Sequence, residues 1–82
     1  MYSIRFTQTA EEQFEKLPKE IKIRVLRVFE RIKIRPFHFI KRKEGSPYFI
    51  MRAGEHRAIL DIKTGKNVIY VLEVGHRKNI YD

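Results

Sequence analysis

The stretch Tyr48-Phe49-Ile50-Met51-Arg52-Ala53-Gly54-Glu55-His56-Arg57-Ala58-Ile59-Leu60-Asp61-Ile62 decides the fold. Two runs rich in β-formers, Tyr48 to Ala53 and His56 to Ile62, flank Gly54-Glu55. A two-residue hairpin loop of type II′ wants glycine in its first position, and that loop pairs Ala53 with His56 and Arg52 with Arg57. Directly paired residues share a face. One face therefore reads Phe49, Met51, Ala53, Ala58, Leu60, Ile62, and the other Tyr48, Ile50, Arg52, Arg57, Ile59, Asp61. The first is a continuous apolar surface that helices must cover. The second sets two arginines opposite each other, which repel unless an anion joins them, either a neighbouring carboxylate or a bound phosphate.

Downstream, Lys63-Thr64-Gly65 has the pattern of a three-residue loop with glycine in the left-handed position, which pairs Ile62 with Lys66 and Arg57 with Val71. The third strand of the meander then runs from Asn67 to Val74. This register puts Glu73, and Arg77 if the strand continues, on the arginine face. Arg52, Arg57 and Arg77 gather at one end of the sheet, near Gly54-Glu55 and His76. A surface salt bridge from Glu73 to Arg57, worth about 0 to 1 kcal/mol, would balance one arginine of the three.

Upstream, Tyr2 to Phe6 reads as a short strand, and Thr7 or Thr9 caps a helix that carries Ala10, Phe14 and Leu17 on one face. Pro18 ends that helix and opens a second one reaching Ile34. Ile21, Val25, Val28, Phe29 and Ile32 form its core stripe, and Arg24, Arg27, Arg31 and Arg35 stack along one flank. Four like charges at this spacing repel mildly unless an anion meets them. Arg35-Pro36 stops the helix. Phe37 to Glu44 reads as an edge strand or extended loop, and Gly45-Ser46-Pro47 as a break before the hairpin. The order β-α-α-β-β-β predicts an α+β fold, a twisted antiparallel sheet with both helices packed on one face, as a single domain over residues 1–82.

Composition narrows the function classes. At 82 residues and 43% hydrophobic content the chain builds one core, and no apolar run is long enough to cross a membrane. The start Met1-Tyr2-Ser3-Ile4-Arg5-Phe6 lacks the apolar stretch a secretion signal needs, and there is no cysteine, which together lead us to expect a cytoplasmic location. Residues 22–43 hold nine cations against the single anion Glu30, so this window carries the whole net charge of +8. Such a surface attracts nucleic acid, an acidic protein or anionic lipid, and solubility alone is the plainer explanation.

The segment Gly75-His76-Arg77-Lys78-Asn79-Ile80-Tyr81-Asp82 adds a histidine, two cations and a tyrosine after the last strand. Phosphoryl transfer uses these types: arginine forks hold phosphate oxygens and stabilise the charged transition state, and His or Tyr moves protons to and from the 2′-hydroxyl and the leaving 5′-oxygen. Tyr81 also fits a plain role as an aromatic packed on the sheet edge. His38, His56 and His76 lie far apart with no carboxylate cluster, so no metal or other cofactor is expected.

These residues resemble the RelE/ParE superfamily of toxins from type II toxin–antitoxin systems. The resemblance covers nearly the whole chain. It rests on the element order, on Pro36-Phe37 followed by Gly45-Ser46-Pro47-Tyr48, on Arg52-Ala53-Gly54-Glu55-His56-Arg57, and on Gly75-His76-Arg77-Lys78-Asn79-Ile80-Tyr81. It implies a metal-independent endoribonuclease that cleaves mRNA in the ribosomal A site by 2′-hydroxyl attack, held inactive in a hetero-oligomer with a cognate antitoxin. By the same resemblance Arg57 and Arg77 match the transition-state arginines, Tyr81 the catalytic tyrosine, and Arg52 a supporting cation. His76 is a further candidate catalyst, and Lys41, Lys43, Lys78, Arg27 and Arg31 are candidate RNA-binding cations. RelE-type nucleases carry two lysines where this chain has Tyr48 and Ile50, so Tyr81, His76, Glu55, Lys41 and Lys43 all stand as candidates for the general base. A ParE-like inhibitor of DNA gyrase and a degenerate member that only binds antitoxin are the alternatives.

Overall fold

The computed structural model describes residues 1–80. They run β1 (Ser3–Phe6), α1 (Gln8–Glu15), α2 (Lys19–Ile34), a 3-10 turn (Pro36–His38), β2 (Ile40–Arg42), β3 (Phe49–Ala53), β4 (His56–Lys63), a second 3-10 turn (Thr64–Lys66) and β5 (Val68–His76). Thr7 is the cap of α1: its Oγ1 accepts the Ala10 N–H at 3.1 Å, which meets one of the donors a helix start leaves unpaired. Pro18 caps α2, where its missing N–H costs nothing, and Pro36 stops the chain from continuing as α-helix after Arg35.

The five strands lie in the order β1-β5-β4-β3-β2. Three pairs are antiparallel, and β1 runs parallel to β5 with Ser3 opposite Val68 and Phe6 opposite Val71. This corrects the wholly antiparallel expectation, and the reason is β2. A chain that reverses at every helix and strand turns six times between β1 and β5, an even number that leaves them parallel. Reading residues 40–42 as loop drops one reversal and predicts the opposite sense.

The α+β class and the one-sided helix layer are as expected. Ala10 of α1 and Val25, Phe29 and Ile32 of α2 pack on Met51, Ala53, Ala58, Leu60, Ile69, Val71 and Val74 of the sheet. Phe6 meets Phe14 and Phe29 edge-on, each at 5.6 Å between ring centres, a favoured aromatic geometry. The other face carries a smaller cluster in which Ile80 covers Ile50 and Ile59, with Tyr48 and Leu72 alongside. Among the described residues no helix is long and apolar enough to cross a membrane.

The β4–β5 connection differs from the expected three-residue loop. Lys63 pairs with Val68, the 3-10 turn fills the gap, and Asn67 rather than Gly65 takes the left-handed conformation, with φ +53°. Asparagine tolerates that region better than other side chains, so a glycine there was not needed. β5 then contains a bulge: Leu60 pairs with Val71, and Ile59 with Glu73, leaving Leu72 as an extra residue. Val71 and Val74 must both reach the helix side, and three positions apart they share a face only if one residue is inserted between them. α1 holds the irregularity in place. Thr7 N–H donates to Val71 O at 3.0 Å, Thr7 Oγ1 donates to Leu72 O at 3.2 Å, and Gln13 Oε1 accepts the Val74 N–H at 2.8 Å.

Candidate functional site

The β3–β4 hairpin forms with the expected register, Arg52 opposite Arg57 and Ala53 opposite His56. Gly54 takes φ +62° and Glu55 does not share the positive value, as the type II′ loop requires. Below the bulge, β5 pairs Gly75 with Arg57 and His76 with His56, and Arg77 N–H then donates to Glu55 O at 2.8 Å. The Arg77 Nε reaches Glu55 Oε2, also at 2.8 Å. Three arginines from three segments thus converge on the hairpin end of the sheet, and Glu55 is tied up as the partner of Arg77.

After His76 the chain folds back. Asn79 N–H and Ile80 N–H donate to His76 O at 2.8 and 3.2 Å, and Lys78 N–H donates to His76 Nδ1 at 3.1 Å. This tight turn lets Ile80, only 4% exposed, lie over Ile50, Ile59 and Gly75, where a side chain larger than hydrogen would crowd it. Beside Ile80 opens a cavity of about 470 Å³ walled by Lys43, Ser46, Tyr48, Glu73 and Asn79. Ser46 shapes its rim: its Oγ donates to Lys43 O at 3.2 Å and accepts the Tyr48 N–H at 3.1 Å. Lys41, opposite Ile50 in the β2–β3 pair, shares the arginine face.

Other candidates lie elsewhere. His76 stands against His56, with ring centres 5.4 Å apart, and strand alternation puts both on the helix side of the sheet, away from Arg52 and Arg57. In neutral His76 the Nδ1 that accepts from Lys78 carries no proton, so the proton sits on Nε2. Arg27 and Arg31 are exposed on α2, which covers the face opposite the arginine cluster. Tyr81 lies outside the described residues. No three His, Asp or Glu side chains come close enough to hold a metal among the described residues.

Arg24 escaped the sequence reading as a neighbour of this end. Its Nη1 lies against Gly54, 2.6 Å from where a Cβ would stand, so the long helix reaches the hairpin loop directly. Only the glycine itself hinted at such a close approach. Arg24 also acts on His56, whose pKa is lowered first by burial, then by the neighbouring His76 and Arg24, with Glu55 opposing. His56 Nδ1 is buried with no hydrogen-bond partner, which further disfavours adding a charge there.

A sequence model described as "ParE toxin of type II toxin-antitoxin system, parDE" matches residues 4–81, nearly the whole chain. The chain belongs to the RelE/ParE family of type II toxins. The toxin is 32% identical over 83 residues to Toxin RelG of Mycobacterium tuberculosis, covering 98% of this chain and 95% of that one. A chain of the RelBE2 toxin–antitoxin complex of Mycobacterium tuberculosis is similar at 32% identity and a TM-score of 0.82, over 93% of the toxin and 98% of that chain. The fold is also that of a chain in the intact E. coli RelBE complex, at TM-score 0.80 and 18% identity over 93% of the toxin and 96% of that chain.

Proposed function

We propose that this toxin is a metal-independent endoribonuclease that cuts mRNA in the ribosomal A site. The observation that carries the reading is the convergence of Arg52, Arg57 and Arg77 on one end of one sheet face. Backbone pairing fixes where these three cations stand, and their guanidinium groups suit the charge that develops on the phosphate oxygens. In the reaction the 2′-hydroxyl loses its proton to a base and attacks the adjacent phosphorus. The P–O5′ bond breaks, leaving a 2′,3′-cyclic phosphate, and the 5′-oxygen takes up a proton. Arg57 and Arg77 stabilise the pentavalent phosphate and Arg52 supports them. Tyr81 is the candidate proton carrier; His76, the other candidate, stands on the helix side of the sheet and would have to reach round its edge to act on this phosphate. Lys41, Lys43 and Lys78, with Arg27 and Arg31 on the far layer, hold the RNA and ribosomal backbone by charge.

In the same reading the toxin is kept silent by a cognate antitoxin that covers the basic surface. Its similarity to a chain from the RelBE2 complex supports this, as does the +8 charge, which favours an acidic partner segment. Co-purification with the product of the adjacent reading frame tests the partnership.

A second reading, inhibition of DNA gyrase through protein contact, is favoured by the ParE description of the matching family and by Tyr48 and Ile50 standing where RelE-type nucleases have lysines. Toeprinting of message on purified ribosomes, run beside a gyrase supercoiling assay, decides between them. Cleavage that disappears with Arg57→Ala supports the nuclease. Intact message together with blocked supercoiling overturns it.

A further inference from the structure

A second depression opens on the arginine face at the β2 edge. It has a volume of about 240 Å³ and is lined by His38, Phe39, Ile40, Lys41, Ile50 and Arg52. Phe39 is 40% exposed here. We propose that this depression is a stacking subsite for one unpaired base of the RNA, next to the nucleotide whose phosphate meets the arginine cluster. The proposal deepens the RNA-cleavage reading and rests on it.

Three observations carry it. First, the chemistry is paired: an aromatic ring offers a face to a base, and the Lys41 and Arg52 side chains beside it suit the phosphates on either side of that base. The lining sets Phe39, Ile40 and Ile50 beside the cations Lys41 and Arg52, and a base flanked by its phosphates matches that mixture of apolar and cationic groups. Second, the depression is continuous with the site, because Arg52 lines it and also stands directly opposite Arg57. Third, the platform is fixed in advance. Phe39 N–H donates to Pro36 O at 3.3 Å, Pro36 is buried, and the His38 ring meets Phe39 edge-on at 5.1 Å, so little freedom is lost when a base lands. The volume is below the roughly 300–1,000 Å³ of a whole ligand site and suits a single base.

The test uses short 2′-O-methyl RNA oligonucleotides, which lack the attacking hydroxyl, in a series with one base at a time replaced by an abasic sugar. For the wild-type toxin one position in the series should weaken binding by about 5- to 100-fold, the usual loss when a base–aromatic stack is removed. Phe39→Ala should lose the same factor on the intact oligonucleotide and become indifferent to that position. Phe39→Tyr keeps the ring and should bind as wild type, and Phe39→Leu keeps only the bulk and should not. Wild-type binding that is absent or indifferent to every base overturns the subsite, as does Phe39→Ala binding like wild type. A Phe39→Ala variant that loses antitoxin affinity but no RNA affinity overturns it too, and assigns the depression to the protein partner. Toeprinting of wild type on ribosomes separates the two claims. Failure to cut message refutes the nuclease whatever the oligonucleotides show, and cutting with an unchanged abasic profile refutes only the subsite.

Discussion

Arg77 is held to Glu55 twice, by its backbone N–H on the Glu55 carbonyl and by its guanidinium on the Glu55 carboxylate, both at 2.8 Å. The backbone contact fixes where the segment runs, and the side-chain contact fixes where the cation points. Both side chains are more than half exposed, so the ion pair adds little stability and is easily exchanged for a phosphate. Glu55→Gln should therefore change the unfolding free energy by less than about 1 kcal/mol. In the proposed nuclease it should tighten RNA binding by releasing Arg77 from competition, which a binding isotherm in low salt reads directly.

Removal of the arginines is the stronger test of catalysis. Arg57→Ala or Arg77→Ala should each slow single-turnover cleavage on ribosomes by about 10²- to 10³-fold, the usual loss of one transition-state donor. Charge reversal of Arg27 and Arg31 should instead weaken ribosome association and flatten its salt dependence, leaving cleavage at saturation nearly intact.

His56 gives the fold a pH dependence. Its pKa in the folded chain lies below the ordinary 6.5, so below that pH the unfolded chain binds more protons than the folded one. Stability should fall as the pH drops below about 6.5 and stop falling once it passes the lowered folded value. Denaturant melts across that window check this, and His56→Gln should flatten the slope on the acid side.

The hairpin loop is constrained on two counts. Gly54→Ala places a Cβ at positive φ and against the Arg24 guanidinium, and should cost about 1 kcal/mol or more. Adding Arg24→Ala should recover only the part due to contact, since the backbone strain stays; thermal melts of the three variants separate the terms.

Ile80→Ala removes the lid over Ile50 and Ile59 and should destabilise by about 2 kcal/mol or more. Because the same turn follows Arg77, cleavage should fall beyond what the lost folded fraction explains, as parallel melting and single-turnover assays would show.

The hairpin was legible in the sequence because Gly54-Glu55 has one good solution, and its two faces followed by alternation. The next connection was not. A glycine in Lys63-Thr64-Gly65 suggested a tight loop, while the chain uses Asn67 for the left-handed step, which no pattern in the sequence marks. The upstream half of β5 was accordingly placed on the wrong face: Ile69 pairs with Ile62 and is fully buried. Glu73 still came out on the arginine face, because the misread loop and the unseen bulge shift the register by an odd number each and cancel in parity. The parallel β1 was missed because the element order left out the segment read as an edge strand or extended loop; its strand, Ile40–Arg42, is too short for any period to declare itself. By the same parity His76 falls on the helix face in either register, and the true one adds its pairing with His56.

The extra residue at Leu72 means that β5 carries one residue of slack. Removal of Leu72 would leave Val71 on Leu60 and Glu73 on Ile59 as successive pairs, and the pairs Arg57 with Gly75 and His56 with His76 would stay where they are. β4 has no such reserve from His56 to Leu60, where each residue answers to one partner in β3 and one in β5. Loss of one residue is thus absorbed at Leu72, upstream of the pairs that hold the arginines, and refused in the strand that carries Arg57.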